Sequence, residues 1–316
     1  MKRSTLLLIA LLPLLATSVA AQVNDTYVIP AAGNTPGAFL TRWMTQFSVF
    51  NPQAHALTIT VVYLPTGGGR GIEAAFTVPA NSVAFSDNIL DDLFDVAGSG
   101  ALLVATFQDE NPGVPDNVIS RAFLVTTNTY NNSPKGTFGQ TIAGIWTGLQ
   151  DYQTDGISAI AHGVRHISRL GWRTNIGAVN LGRTSVTMRV TVFDADGRTR
   201  LDRAPFLLPP FAHLQDVLPI EIDRGTIEFF VDDPSQTAVV FPYAATVDQL
   251  SGDPTYHSPV LLATPAAIYS KMGMPADPTS VGKRIDSAIA AEVRANAERR
   301  PRAQLVPEGD GYRITQ

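Results

Sequence analysis

The chain has no cysteine among its 316 residues. That excludes disulfide staples, thiolate catalysis and cysteine-ligated zinc, and it leaves burial to hold the fold together. It also removes the cysteine to which a bacterial lipoprotein attaches its lipid. Charge is sparse: Asp, Glu, Lys and Arg make up 16% of residues and the net charge is −5, which argues against a nucleic-acid partner. Beyond the N-terminus no apolar run reaches the ~20 residues that span a bilayer. What the chain has instead is 25 glycines and 22 prolines, the composition of many short strands joined by tight turns.

The N-terminus reads as a targeting segment. Lys2 and Arg3 precede an apolar run from Leu6 to Ala16, and Val19-Ala20-Ala21 supplies small residues for cleavage. This pattern predicts a secretory signal peptide over 1–21, and with it a periplasmic or extracellular protein with no transmembrane segment after cleavage.

The rest of the chain is written twice. Arg42–Asn51 (RWMTQFSVFN) returns as Gly171–Asn180 (GWRTNIGAVN), with Trp43, Thr45 and Asn51 matched by Trp172, Thr174 and Asn180. In the first copy Trp43, Thr45, Phe47 and Val49 alternate with Met44, Gln46 and Ser48, the period of a half-buried strand. In the second, Trp172, Thr174, Ile176 and Ala178 share one side, with Arg173 and Asn175 on the other. Leu57–Tyr63 likewise matches Val186–Val192, both rich in β-branched residues. The pattern predicts an all-β fold of two tandem sandwiches, 22–145 and 146–262. Its expected core includes Trp43, Phe47, Val49, Trp172 and Ile176, with Asn51 and Asn180 closing their strands in turns. A short helix is expected around Asn88–Phe94.

Several stretches together resemble a family of tandem immunoglobulin-like all-β modules of secreted bacterial proteins. They run from Tyr27-Val28-Ile29-Pro30 through the Trp43 strand, Val61–Pro65, Thr129-Tyr130-Asn131 and Gly136–Gln140. They continue through Trp172–Gly177 and Phe193–Gly197 to Val247-Asp248 and Gly252–Thr255. The resemblance covers about residues 27–260. It implies an interaction or structural role with no settled activity.

No catalytic grammar stands out. His162 and His166 have the spacing of a helical zinc pair, but they sit in a strand context where residues four apart lie about 13 Å from each other. Asp194-Ala195-Asp196-Gly197 opens like a calcium loop, yet Pro205 occupies the required carboxylate position. Gly67-Gly68-Gly69-Arg70-Gly71 lacks the Lys-Ser/Thr ending of a phosphate loop. The expectation is therefore a non-catalytic protein with no metal and no cofactor. Tyr130, Trp146 and Tyr152, between the copies, are candidate contacts for a protein or polysaccharide partner, or cement between the units.

Residues 263–316 form a tail, with a helix expected over about 278–299. Asp277-Pro278 would cap it, and Val281, Ile285, Ile289 and Val293 would form its apolar stripe, flanked by Arg294, Arg299, Arg300 and Arg302. The stripe is expected to dock on the second sandwich, the alternatives being a bound partner or a frayed tail, and both sandwiches are expected to fold without the tail. The function expected overall is structural or adhesive, acting through sandwich surfaces. The alternatives are a carbohydrate-binding module and an exported hydrolase or metalloenzyme with a loop-built site.

Overall fold

The structure is a computed structural model, and it describes residues 26–37, 41–115, 118–133, 136–146, 158–233, 238–262 and 287–316. It is predominantly β and sandwich-like. The first copy supplies β1 (Thr26–Pro36), β2 (Arg42–Asn51), β3 (Leu57–Pro65), β4 (Gly71–Val78), β5 (Ser82–Ser86), β6 (Gly98–Ala105), β7 (Leu124–Ser133), β8 (Gly136–Ala143) and β9 (Ile145–Trp146). One-turn helices α1 (Ile89–Asp92) and α2 (Val118–Arg121) interrupt it. The second copy supplies β10 (Ser158–His166), β11 (Trp172–Asn180), β12 (Val186–Phe193), β13 (Thr199–Leu208), β14 (Ala212–Val217), β15 (Ile222–Asp232), β16 (Val240–Asp248), β17 (Pro254–His257) and β18 (Val260–Leu262). Among the described residues no helix is long and apolar enough to cross a membrane.

The written repeat is also a repeat of strand pairing. One layer runs β4-β3-β6-β1-β9, and β13-β12-β15-β10-β18 follows the same order. The other runs β8-β7-β2-β5, matched by β17-β16-β11-β14. In the first copy β1 joins the layers, because Thr26–Asn34 pairs with β6 while Asn34–Pro36 pairs with β2.

Alternation sets which residues meet between layers. Phe47 of β2 and Phe76 of β4 meet edge to face, with ring centres 6.5 Å apart, inside a core with Ile59, Val61 and Leu102. The second copy encloses its own core around Ile176, Val190 and Phe229. Phe47, Val49 and Ile176 are buried. Trp43 and Trp172 depart from the expected pattern: both are half-buried, and neither packs against these cores. Each stands at or next to the first residue of its strand, at the rim of the layers. The Trp172 ring instead lies under the Arg165 guanidinium, 5.3 Å from its centre.

The two asparagines act as buried hubs. Asn51 Nδ2 donates to the carbonyls of His55, Val78 and Pro79, and its Oδ1 accepts from Gln53 N–H. Asn180 repeats the set with Thr184, Leu208, Pro209 and Gly182. One carboxamide thus fastens a turn to the neighbouring layer in each copy, which no apolar residue of similar size can do.

A third apolar cluster joins the copies. Val28, Val62, Leu64, Leu103 and Phe107 of the first copy meet Val179, Leu181, Val239 and Phe241 of the second. The tail completes it. Helix α3 (Ser287–Ala295) buries Ala290 and Val293 there, with Ile289 beside them. Val281 and Ile285, the other half of the expected stripe, lie outside the described residues.

The helix ends earlier than expected, because Ala297–Arg299 becomes β19 and pairs in parallel with the open edge of β4. Beyond it β20 (Gln304–Glu308) and β21 (Gly311–Thr315) form a hairpin, and β21 pairs in parallel with β5. Ala303 and Ile314 enter the first core. The tail is thus built into the edges and core of the first copy.

Charge reinforces the docking. Arg294 is buried, reaches Glu73 at 3.2 Å, Asp109 at 2.8 Å and Glu110 at 2.7 Å, and covers the Phe107 ring. Arg299 shares Glu73 and Arg302 shares Glu110.

Removing Arg294 leaves Glu73 buried with only the exposed Arg299 as partner. Arg294→Ala is expected to lower unfolding free energy by about 3 kcal/mol in urea titrations. Arg183→Ala, which breaks a surface pair with Glu292 on the same helix, should leave the midpoint where it is. Asn51→Ala and Asn180→Ala should each cost about 3 kcal/mol, because carbonyls and an N–H lose their partners under cover. A loss below about 1 kcal/mol for either would show that water replaces the hub.

Candidate functional site: a cleft between the repeats

A cavity of about 640 Å³ opens where the copies meet. The first copy lines it with the ends of β1 and β2, with Ser99 at the start of β6, and with Thr129, Asn131, Gln140 and Ile142 of β7 and β8. The second lines it with Arg173 and Asn175 of β11, the end of β14, Tyr243, Ala245 and Val247 of β16, and the turn Gln249–Gly252.

Its rim is apolar and open. Leu250 is 81% exposed and Val217 43% exposed, and the half-buried Trp43 stands with them on the lining. Large apolar side chains left in water beside a concavity are the usual sign of a contact surface.

Its wall is polar and under-satisfied. Asn131 Oδ1, Gln140 Oε1 and Arg173 Nε are shut from solvent and have no hydrogen-bond partner. Each such group forgoes about 1–3 kcal/mol relative to a satisfied one, so three around one cavity, two from the first copy and one from the second, are a reserve of binding capacity. Asn131 itself is 6% exposed.

The floor, carried by Ser99, Gln215 and Tyr243, is tied across the two copies by Thr66 and His213 beneath it. Thr66 Oγ1 lies 2.8 Å from Ser99 Oγ and 2.7 Å from His213 Nδ1. His213 Nε2 lies 2.8 Å from the Tyr243 hydroxyl, which donates to Gln215 Oε1 at 2.8 Å. With a neutral imidazole protonated on Nε2, Nε2–H donates to Tyr243 and Tyr243 to Gln215, while the single Thr66 hydroxyl proton lies between His213 Nδ1 and the Ser99 carbonyl, 2.8 Å away. Gly67 N–H adds a backbone bond to the His213 carbonyl.

Burial holds the His213 pKa down at about 3 and raises that of Tyr243 far above its ordinary value. Tyr243 stacks between His213 and Tyr256. It also lies so close to Gly177 that a β-carbon there would come within 2.4 Å of the ring, so β11 needs glycine at that point.

The residues singled out from the sequence lie elsewhere. Tyr130 is half-buried on the face of β7 opposite Thr129 and Asn131, and its hydroxyl donates to the Asp87 carbonyl. Trp146 belongs to β9, paired with Tyr27, and its side chain is outside the described set. Tyr152 also lies outside the described residues. Among the described residues, Trp43 is the one sequence-predicted aromatic on the cleft lining.

Asn131, Gln140, Gln215 and Leu250 were missed, because each is an ordinary polar or turn residue until two copies are set side by side. Arg173 and Asn175 carried a signal, as the polar alternates of the Trp172 strand. Four of the five histidine rings are engaged with hydroxyls or backbone. His55 meets the Ser120 carbonyl, His166 Nδ1 accepts from Thr174 N–H, and His257 meets Thr246. His162 is exposed on β10.

His213 gives the cleft floor a defined pH response. Its folded pKa of about 3 lies below the ordinary ~6.5, so below pH ~6.5 the unfolded chain takes up a proton that the folded chain refuses. Its contribution is complete above pH ~6.5 and is lost as pH falls toward 3. Between pH ~7.5 and ~5 the expected loss from this residue is about 2 kcal/mol. His166 and His257, whose pKa values burial also lowers, act in the same direction. Urea midpoints of the wild type and His213→Gln at both pH values isolate the effect, and equal pH slopes in the two proteins would contradict it.

Comparison with protein-family models, curated proteins and solved structures finds no match to this chain, so the geometry carries the functional argument.

Proposed function

We propose that this chain is a non-catalytic binding protein built from two tandem immunoglobulin-like β-sandwiches and a C-terminal helix-containing tail. It is secreted after removal of the N-terminal signal peptide, and it acts in the periplasm or outside the cell. It recognises its partner through the cleft between the sandwiches. The observation that carries this reading is the pairing of an open apolar rim with a polar wall that lacks partners, at a junction buried tightly enough to fix its shape. A preformed concavity needs little ordering on binding, which favours affinity. The engagement of the His55, His166, His213 and His257 rings with hydroxyl and backbone groups supports a binding role over an acid-base one.

Affinity capture on the immobilised chain, from native cell envelope and medium, supplies the partner for quantitative binding. Leu250→Glu and Val217→Glu, at the rim, are expected to weaken that binding at least about tenfold. Leu124→Glu, at another exposed apolar site (60% exposed) away from the cleft, should leave it unchanged. The reading fails should both rim variants bind like wild type while Leu124→Glu or Tyr130→Ala loses the partner.

A further inference from the structure

We infer that the ligand recognised in the cleft is a hydroxyl-rich saccharide bearing a carboxylate, held by Trp43, a set of side-chain amides and Arg173. The inference rests on the cleft being the binding site. Three features of its lining, read together, select this class.

The first is the amide content. Asn131, Gln140, Asn175 and Gln215 all line the cleft. A carboxamide offers a donor and an acceptor side by side, and so do the adjacent hydroxyls of a sugar ring, each of which donates and accepts. Asn131 Oδ1 and Gln140 Oε1 are the acceptors left without donors, and sugar hydroxyls are donors of the right size to reach them after a small side-chain rotation. Gln215 already accepts from Tyr243, which fixes its orientation and leaves its amide N–H groups free to donate.

The second is Trp43. Its indole is half-buried at the cleft and belongs to neither sandwich core. An aromatic face set beside polar groups suits a ligand with one apolar face and a polar perimeter, as pyranose rings have. An extended peptide, by contrast, would call for an open strand edge to pair with. β2 and β11, which carry Trp43 and Arg173, are paired on both sides and offer no such edge, whereas β8 and β14, also on the lining, are each paired along one side only.

The third is the charge. Arg173 Nε has no hydrogen-bond partner and the residue makes no ion pair among the described residues. A planar guanidinium with an unpartnered Nε–H, once the side chain turns toward the cavity, matches a carboxylate in the two-pronged geometry that lysine cannot reproduce. Asp216 also lines the cleft, with one carboxylate oxygen accepting from Val217 N–H. It can take a ligand hydroxyl as acceptor, and it disfavours ligands of high negative charge, so a single carboxylate per sugar is the better fit than a sulfated chain.

The test is titration calorimetry with uronic acid oligosaccharides and with neutral oligosaccharides of the same linkage. The uronates are expected to bind at least about tenfold more tightly than the neutral sugars. Arg173→Gln should erase that preference, Arg173→Lys should restore only part of it, and Trp43→Ala should weaken both sugars by about tenfold or more. Melting curves establish that the variants fold, and Trp43→Phe, which keeps an aromatic face, should retain most of the affinity if Trp43→Ala does not fold.

The inference is overturned if neither sugar class binds at millimolar concentration, or if both bind equally and Arg173→Gln changes nothing. Should saccharides fail while Leu250→Glu still abolishes capture of a partner, the cleft stands as the site and its saccharide ligand falls. Should saccharides bind but ignore every cleft variant, the cleft itself is the wrong site.

Discussion

One layer of the first sandwich is buried on both faces, and the rest of the molecule is arranged around that. In β3 the residues Ile59, Val61 and Tyr63 enter the first core while Val62 and Leu64 point the other way, and both sets are closed to water. β6 does the same with Leu102 and Val104 on one side and Leu103 and Ala105 on the other. A sheet with two apolar faces needs two covers. Its inner cover is the β2–β7 layer. Its outer cover is assembled from the second copy's β11 and β16 and from α3. At about 1.5–3 kcal/mol per large apolar side chain removed from water, that outer cover is too costly to open for the two copies to swing freely. The cleft is therefore a fixed shape rather than a hinge.

The same demand explains why the tail returns to the first copy. β4 and β5 would otherwise be open edges beside a doubly buried layer, and β19 and β21 close them. The second copy manages its equivalents differently. At β14, Gly67 N–H bonds the His213 carbonyl, so the β3–β4 turn of the first copy occupies that edge. β13 remains at the border of its sheet and carries Arg200, Asp202, Arg203 and Pro205, charges and a missing N–H that discourage further pairing.

Much of this was legible in the sequence, and what was not has physical causes. The strand alternation, the recurrence of Trp43, Thr45 and Asn51, and the short helix near Asn88 are local patterns, and each stands where the pattern put it. The doubly buried layer had a signal that was underused: Val61-Val62-Tyr63-Leu64 is a continuous apolar run, the mark of a strand covered on both faces. Trp43 and Trp172 misled because alternation gives the side of a strand but not the depth at its end. The tail misled because its apolar stripe is narrow and its arginines read only as a basic flank, whereas the Arg294 partners Glu73, Asp109 and Glu110 lie over 180 residues earlier. The cleft is the least legible feature. Its polar residues come from both copies, and only the register between them brings Asn131 and Arg173 to one cavity.

The register also shows how the outer faces of the pair differ. The copies associate through unlike surfaces, the outer β3–β6 face of the first against the outer β11–β16 face of the second, and such a contact can in principle repeat without end. Following the ladders, Val62 and Leu103 of the first copy correspond to Thr191 and Glu228 of the second, and Thr60 to Arg189. The face that would receive a third sandwich is thus polar and charged. At the other end, Phe50 and Leu124 stand where Val179 and Phe241 stand in the second copy, and there the apolar character persists, with Leu124 60% exposed. The pair has kept the apolar half of the joint at its first end and lost the complementary half at its last. That asymmetry limits self-stacking while leaving the single junction, and the cleft it shapes, as the place where the duplication yields something neither copy holds alone.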